Sequence, residues 1–274
     1  MTDVLVRFGK NPIGIAAAIF IVALLLLTLV APALVSIDPK SLSDEVLAAP
    51  SMAHFLGTDE LGRDVAMSLI YGIRVSLFVG IVAAFGTLVL GVLVGAWAGF
   101  YGGRIDLTLM RVAEMFQVLP SFVLAAAIVA MLGPGITRVV FIIALLSWPQ
   151  VALVMRSEIL RIKHLDFVDA VRCLGYRESY IMLYEVVPNA LRSVIALTTL
   201  IVGEAILIEA ALSFLGLSSP DQISWGRMLN SGQRFLFDAW WLSVVPGIAI
   251  FLTVLAFNVL GDAISAAMNP KDVE

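Results

Sequence analysis

The sequence predicts an all-α integral membrane protein with six transmembrane helices. Three observations carry this. Apolar residues make up 61% of the 274, and charged residues only 14%, against roughly 45–50% and about 25% in soluble domains. A soluble fold of this size could not bury so much apolar surface, and a disordered chain would be charge-rich. Long charge-free intervals then divide the chain into segments long enough to cross a bilayer. Finally, runs such as Ile19 to Val30 are unbroken aliphatic, which suits helices rather than the alternating strands of a barrel.

The intervals Lys10–Asp38, Arg74–Arg104, Glu114–Arg138 and Asp238–Asp262 each enclose more than the roughly 20 residues that span a membrane as helix. Arg138–Arg156 is tighter, and Arg192–Asp221 is long but interrupted by Glu204 and Glu209. The expected spans are 13–35, 76–100, 107–131, 137–155, 193–215 and 241–263. The first is too long for a signal-peptide core and reads as a retained anchor. Counting Lys and Arg with the N-terminus inside puts eleven on the inner side, including Arg7, Lys10, Arg104, Arg111, Arg156, Arg172 and Lys271. Six fall outside: Lys40, Arg63, Arg74, Arg138, Arg227 and Arg234. The excess orients both termini to the cytoplasm.

In the fifth span, aliphatic and Phe side chains are worth roughly −5 kcal/mol on the insertion scale, and two central carboxylates oppose this by roughly +5 to +7 kcal/mol. Glu204 and Glu209 should therefore face partners or water. They project about 140° apart on a helix. Two readings fit: a substrate path or gate, or one acid paired inside the bundle and the other near the interface. In the second span Gly91, Gly95 and Gly99 line one face and allow close helix packing. Trp240 and Trp241 suit an interfacial anchor.

Two outer loops, 36–72 and 216–240, are rich in turn formers and charge, with Asp59, Arg63, Asp64 and Trp225 as candidate docking residues for a soluble partner; a fixed cap on the helix ends fits equally. The inner loop, 156–190, encodes a short helix. Asp166 is placed to N-cap it, with Asp169 three positions on. Phe167, Val171 and Leu174 share one face, and Gly175 suits the left-handed terminator. Tyr180, Leu183, Tyr184 and Val187 form a second apolar face, and Pro188 is expected to bend the chain before the next span. Such a helix either docks a partner or rests on anionic lipid.

Several chemistries lack their residues. There is no Walker-type phosphate loop, no His-Glu-x-x-His and no nucleophile elbow. Cys173 alone makes no disulfide and reads as a packed thiol. His54 and His164 lie on opposite sides, so no metal site is expected. The net charge of −4 leaves no basic footprint for nucleic acid.

Asp169-Ala170-Val171, then Gly175, then Val187-Pro188 resembles the Glu-Ala-Ala…Gly…Leu-Pro coupling motif of ABC importer permeases, with Asp for Glu and Val for the second Ala. Leu56–Asp64, Ser213–Leu217 and Ala256–Asp262 resemble the dipeptide, oligopeptide and nickel permease group, in particular its C-type subunit. The likeness runs from about Lys10 to Pro270. It implies a type I ABC importer permease fold, with 1–35 a cytoplasmic N-terminus and peripheral helix, 36–72 an external loop, 73–265 a five-helix core, and 266–274 a cytoplasmic tail. It implies a multi-pass protein of the bacterial inner membrane that works as a heterodimer with a homologous permease. Two ABC ATPases would hold ATP and Mg, and an extracytoplasmic binding protein would deliver short peptides. The chain itself would bind no cofactor and catalyse no reaction. Coupling would fall to Asp169, Ala170, Val171, Gly175, Val187 and Pro188. Nickel uptake is the alternative within the group. A secondary transporter would instead show inverted repeats and broken helices at mid-membrane, and no convincing internal repeat is seen. An intramembrane enzyme would need a nucleophile and base within facing spans, against which the histidine positions argue.

Overall fold

The computed structural model describes residues 6–34, 43–118, 120–219 and 221–268. Asp38, Lys40, Pro270 and Lys271, named above, and the expected tail beyond Met268 lie outside them. Among the described residues the chain is helical, with a single isolated bridge between Thr58 and Asp64. Five helices are long and apolar enough to cross a membrane, and the count reaches six if a sharply bent pair of helices is taken as one span.

Helix α1 (Pro12–Leu34) is little buried over Pro12–Val30 and leans on the last helix, with Gly14 against Ala263. Helix α2 (Val65–Tyr101) is 37 residues long, about 55 Å at 1.5 Å per residue. It starts well before the expected 76, because Asp64 N-caps it by accepting from the Met67 N–H. The loop expected to run to 72 therefore ends at Asp64.

The third span is not one helix. Helix α3 (Gly103–Val118) carries Arg104, Asp106, Arg111 and Glu114, and α4 (Ser121–Leu132) is apolar after Ser121; their axes differ by 82°. Pro120 stands at the break with ψ 121°, outside the helical region, and its ring supplies no N–H to carry the ladder across. Helix α5 (Ile136–Ile162) extends beyond the expected 155 and tolerates Pro149 internally.

After α5 come α6 (Asp166–Cys173), the single turn α7 (Glu178–Tyr180), a π-helical stretch Ile181–Val186, and α8 (Val187–Phe214). The bend expected at Pro188 is absent: residues 178–214 form one continuous helical rod. Its wider π turn answers the missing proline N–H, with the Val187 N–H reaching Met182 O and the Asn189 amide donating to Glu185 O. Helix α9 (Trp225–Gly232), a 3₁₀ turn (Gln233–Phe235) and α10 (Trp241–Met268) complete the described residues.

The core is built around α2, α5 and α8. Cβ atoms added at Gly91, Gly95 or Gly99 would strike Val151, Ala152 and Met155, or Arg156 O and Ile159 of α5. The glycine face thus sets the distance at which α2 and α5 meet. At one end of the bundle Lys163 donates to Gly99 O (2.8 Å), and Arg156 grips Asp106 through two bonds (2.5 and 2.6 Å). The same end holds α6, the start of α1 and the end of α10. The opposite end holds the 43–64 loop and α9.

Candidate functional site

Helix α6 is eight residues long, held at the bundle end by one fully buried side chain, Val168, with Val171 packed beside it. Val168 was not singled out by periodicity, because Phe167 and Leu174 complete the better-looking stripe. In the structure those two are 40% and 75% exposed. The buried face is narrow, since so short a helix has bundle on one side only. Leu165, not Asp166, occupies the N-cap position, and no side chain caps there. Asp166 and Asp169 instead lie in the first turn, where carboxylates favour the helix dipole.

Arg172 joins the elbow together. Its guanidinium bonds Asp169 Oδ1 (2.6 Å) and Glu178 Oε1 (2.9 Å). The Glu178 carboxylate first, then Asp169, raises its pKa above the ordinary arginine value. All three are exposed, so water screens the pairs and they add little stability; their role is to orient the turn. Gly175 ends α6 at φ +84° with nothing within 4 Å of a Cβ position. Its left-handed backbone matches the expected terminator. Ala170 and Pro188 are exposed and Val187 half-buried. Cys173 is exposed, which corrects the packed-thiol reading: it lies on the far side of α6 from Val168.

Beyond Gly175, Tyr176, Tyr180 and Tyr184 stack in series, ring centroids 4.8 Å apart at each step. They form an open groove with Arg177 and Leu183. The face of this rod that enters the core is Ile181, Met182 and Val186, whereas the sequence assigned the apolar face to Tyr180, Leu183, Tyr184 and Val187. The π turn rotates the register, which a 3.6-residue period cannot anticipate. The i, i+4, i+8 spacing of the tyrosines was the available signal for the stack.

At the other end the Leu56–Asp64 motif is a knotted turn. Asp59 Oδ1 accepts from the Leu61 and Arg63 N–H groups (2.8 Å each), and Asp64 Oδ2 contacts His54 Nδ1 at 2.9 Å. Asp59 and Asp64 thus hold the loop's own backbone and the start of α2. Arg63 Nε is buried without a hydrogen-bond partner, beside a small cavity also lined by Asp59, Glu60 and Arg227. Trp225, expected on a docking surface, is 1% exposed; its indole donates to Leu69 O (3.0 Å) and its ring covers Gly72. It locks α9 onto α2, because a large ring beside a glycine fills the space left by the absent side chain. Trp240 is exposed as an anchor would be, whereas Trp241 is buried and donates to Thr58 O.

The two carboxylates of α8 diverge as their spacing predicts. Glu209 is 2% exposed and accepts from Ser213 (2.5 Å) and Ser76 (3.4 Å), while Ser224, the N-cap of α9, donates to Ser213. It links α2, α8 and α9 through hydroxyls. Glu204 is half-buried and, among the described residues, has no hydrogen-bond or ion-pair partner. Among the described residues no group of three or more His, Cys, Asp or Glu could hold a metal.

Residues 91–271 match the family described as the binding-protein-dependent transport system inner membrane component. The chain is 36% identical to the dipeptide transport system permease protein DppC of Alkalihalophilus pseudofirmus, over 97% of this chain and 88% of that one. It is 34% identical to the glutathione transport system permease protein GsiD of Pectobacterium atrosepticum, over 97% and 89% of the two chains. Identity to the oligopeptide transport system permease protein OppC of Bacillus subtilis is also 34%, over 98% and 89%. Among solved structures, an inward-facing MetNI methionine ABC transporter superposes with a TM-score of 0.61, covering 74% of this chain and 98% of that one at 16% identity. That likeness shows the fold, that of a type I ABC transporter permease. On these grounds the chain belongs to the binding-protein-dependent transport system inner membrane component family, the membrane-spanning permeases of ABC importers.

Proposed function

We propose that this chain is one half of the membrane pore of an ATP-driven importer of short peptides, and that its Asp166–Cys173 elbow receives the work of nucleotide hydrolysis. The observation that carries the reading is the elbow itself. It is an eight-residue helix tethered by Val168, closed by a left-handed Gly175, and continued into the long rod of residues 178–214. Force applied to Phe167, Leu174 and the exposed face of α6 passes through the π turn into α8, because the rod has no hinge between them. The names of its relatives, which transport dipeptides, di/tripeptides, oligopeptides and glutathione, support peptide cargo over nickel.

In this reading the elbow and both termini face the cytoplasm, in agreement with the excess of basic residues on that side. Two ATPases, which hold the ATP and Mg, dock there. A homologous permease completes the pore, and a soluble binding protein releases cargo at the end formed by the 43–64 loop and α9. Binding of nucleotide shifts the bundle between two packings. The test is reconstitution: the chain with its homologous permease, ATPases and binding protein in liposomes should accumulate a labelled dipeptide only with ATP inside the ATPase-facing compartment. Uptake that persists without ATPases and follows a proton gradient would defeat the proposal.

A further inference from the structure

Glu204 and Glu209 share one helix five positions apart, yet only Glu209 has partners among the described residues. Glu204 lies ten residues before the Phe214 end of α8, about 15 Å into the bundle at 1.5 Å per residue. It stands in a stripe with Leu200, Leu207, Ala211 and Phe214, of which Leu200 and Ala211 are half-buried, Leu207 is 48% and Phe214 37% exposed. The flanking faces of the helix are closed. Gly203 packs on Asn258 and Val254 of α10, and Ile206 fills the space over Gly80 of α2. Glu204 therefore projects where the described residues supply neither a hydrogen bond nor an ion pair to it. An unpaired carboxylate at this depth is strongly disfavoured against hydrocarbon and marks a water-lined path or a cationic partner.

Charge complementarity defines that partner: a cation able to lie among aliphatic side chains. The peptides named for the relatives share one cationic group, a free primary α-ammonium. Glutathione begins with a linkage through a side-chain carboxyl, so the ordinary first peptide bond is not common to the set. The ammonium is.

We infer that Glu204 is a contact for the α-ammonium of the peptide cargo as it passes along α8, with Leu200 and Leu207 bordering its side chains. The inference rests on the peptide reading above. One carboxylate without a second anchor suits passage, because a conduction site must attract cargo and still release it.

The experiment uses the complete complex in proteoliposomes, with labelled dialanine delivered by saturating binding protein so that selection outside the membrane does not limit the rate. Glu204→Gln should slow translocation about tenfold or more, the range for removing the charge from a charge-assisted hydrogen bond. Glu204→Asp should retain most of it. ATP hydrolysis stimulated by the loaded binding protein should stay at the wild-type level in both, so ATP consumed per peptide rises in Glu204→Gln. Wild-type transport by Glu204→Gln would overturn the inference, as would transport, ATPase and thermal stability falling together. Loss of the homologous permease on purification of Glu204→Gln, but not of Glu204→Asp, would assign the carboxylate to a cation of that subunit instead. A wild-type complex that hydrolyses ATP with its binding protein but never moves dialanine would defeat the peptide reading itself, and the inference with it.

Discussion

Gly175 offers a clean perturbation of the elbow, because a side chain added there meets no atom within 4 Å. Any effect of substitution is then one of backbone conformation, not of collision. At φ +84° an L-residue pays about 1–2 kcal/mol for the left-handed region, and Asn, whose side chain bonds locally, less. A β-branched residue resists it most. If the elbow must keep this turn to seat its partner, each kilocalorie of strain weakens seating directly. Gly175→Ala should weaken assembly with the ATPases about 5- to 30-fold, Gly175→Asn less than that, and Gly175→Val more. The assay is titration of purified ATPase subunits onto the reconstituted permease pair, read as stimulated ATP hydrolysis and as coupled uptake. Thermal stability of the membrane part should change little, since the buried anchor Val168 is untouched. Equal damage by Asn and Val, or wild-type assembly by Val, would show that the left-handed turn is not what the partner requires.

Gly95→Ala should destabilise the bundle by about 1–3 kcal/mol, seen as a lower melting temperature in detergent, because the new methyl would meet Ala152 O and the Met155 side chain. Trp225→Ala should cost about 3–5 kcal/mol and loosen α9, measured as faster proteolysis between α8 and α10, while Trp240→Ala should cost far less, because its ring is half exposed and loses only an edge contact with Trp241. Glu209→Leu should lower the melting temperature more than Glu209→Gln, since Gln can still accept from Ser76 or Ser213 while Leu removes the acceptor of both buried hydroxyls. Cys173 is exposed, so a membrane-impermeant maleimide should label it in inverted vesicles and not in sealed cells; the reverse pattern would invert the orientation.

Class, span number and the elbow were legible in the sequence because they depend on local rules. Unbroken aliphatic runs such as Ile19–Val30 leave no alternative to a membrane helix, and Gly175 answers a backbone need that glycine meets best. The 140° divergence of Glu204 and Glu209 follows from helical periodicity alone, and one of them is indeed bonded within the bundle. Other features depend on what comes near in space. Trp225 reads as a loop aromatic until Gly72 is found beneath it. Asp59 and Asp64 read as surface charge until their hydrogen bonds turn back to the loop itself. The tyrosine face swings outward because a π turn shifts the register by a fraction of a residue, and the break at Pro120 is hidden inside what composition counts as one apolar segment.

What the sequence alone determined is which parts of this chain leave water and where the backbone must turn, because transfer energy and allowed dihedrals are properties of residues and their immediate neighbours. Which carboxylate is satisfied and which is left waiting was decided only by the tertiary structure: a hydrogen bond needs a partner at 3 Å, and the serine that meets Glu209 from α2 lies 133 positions away in sequence.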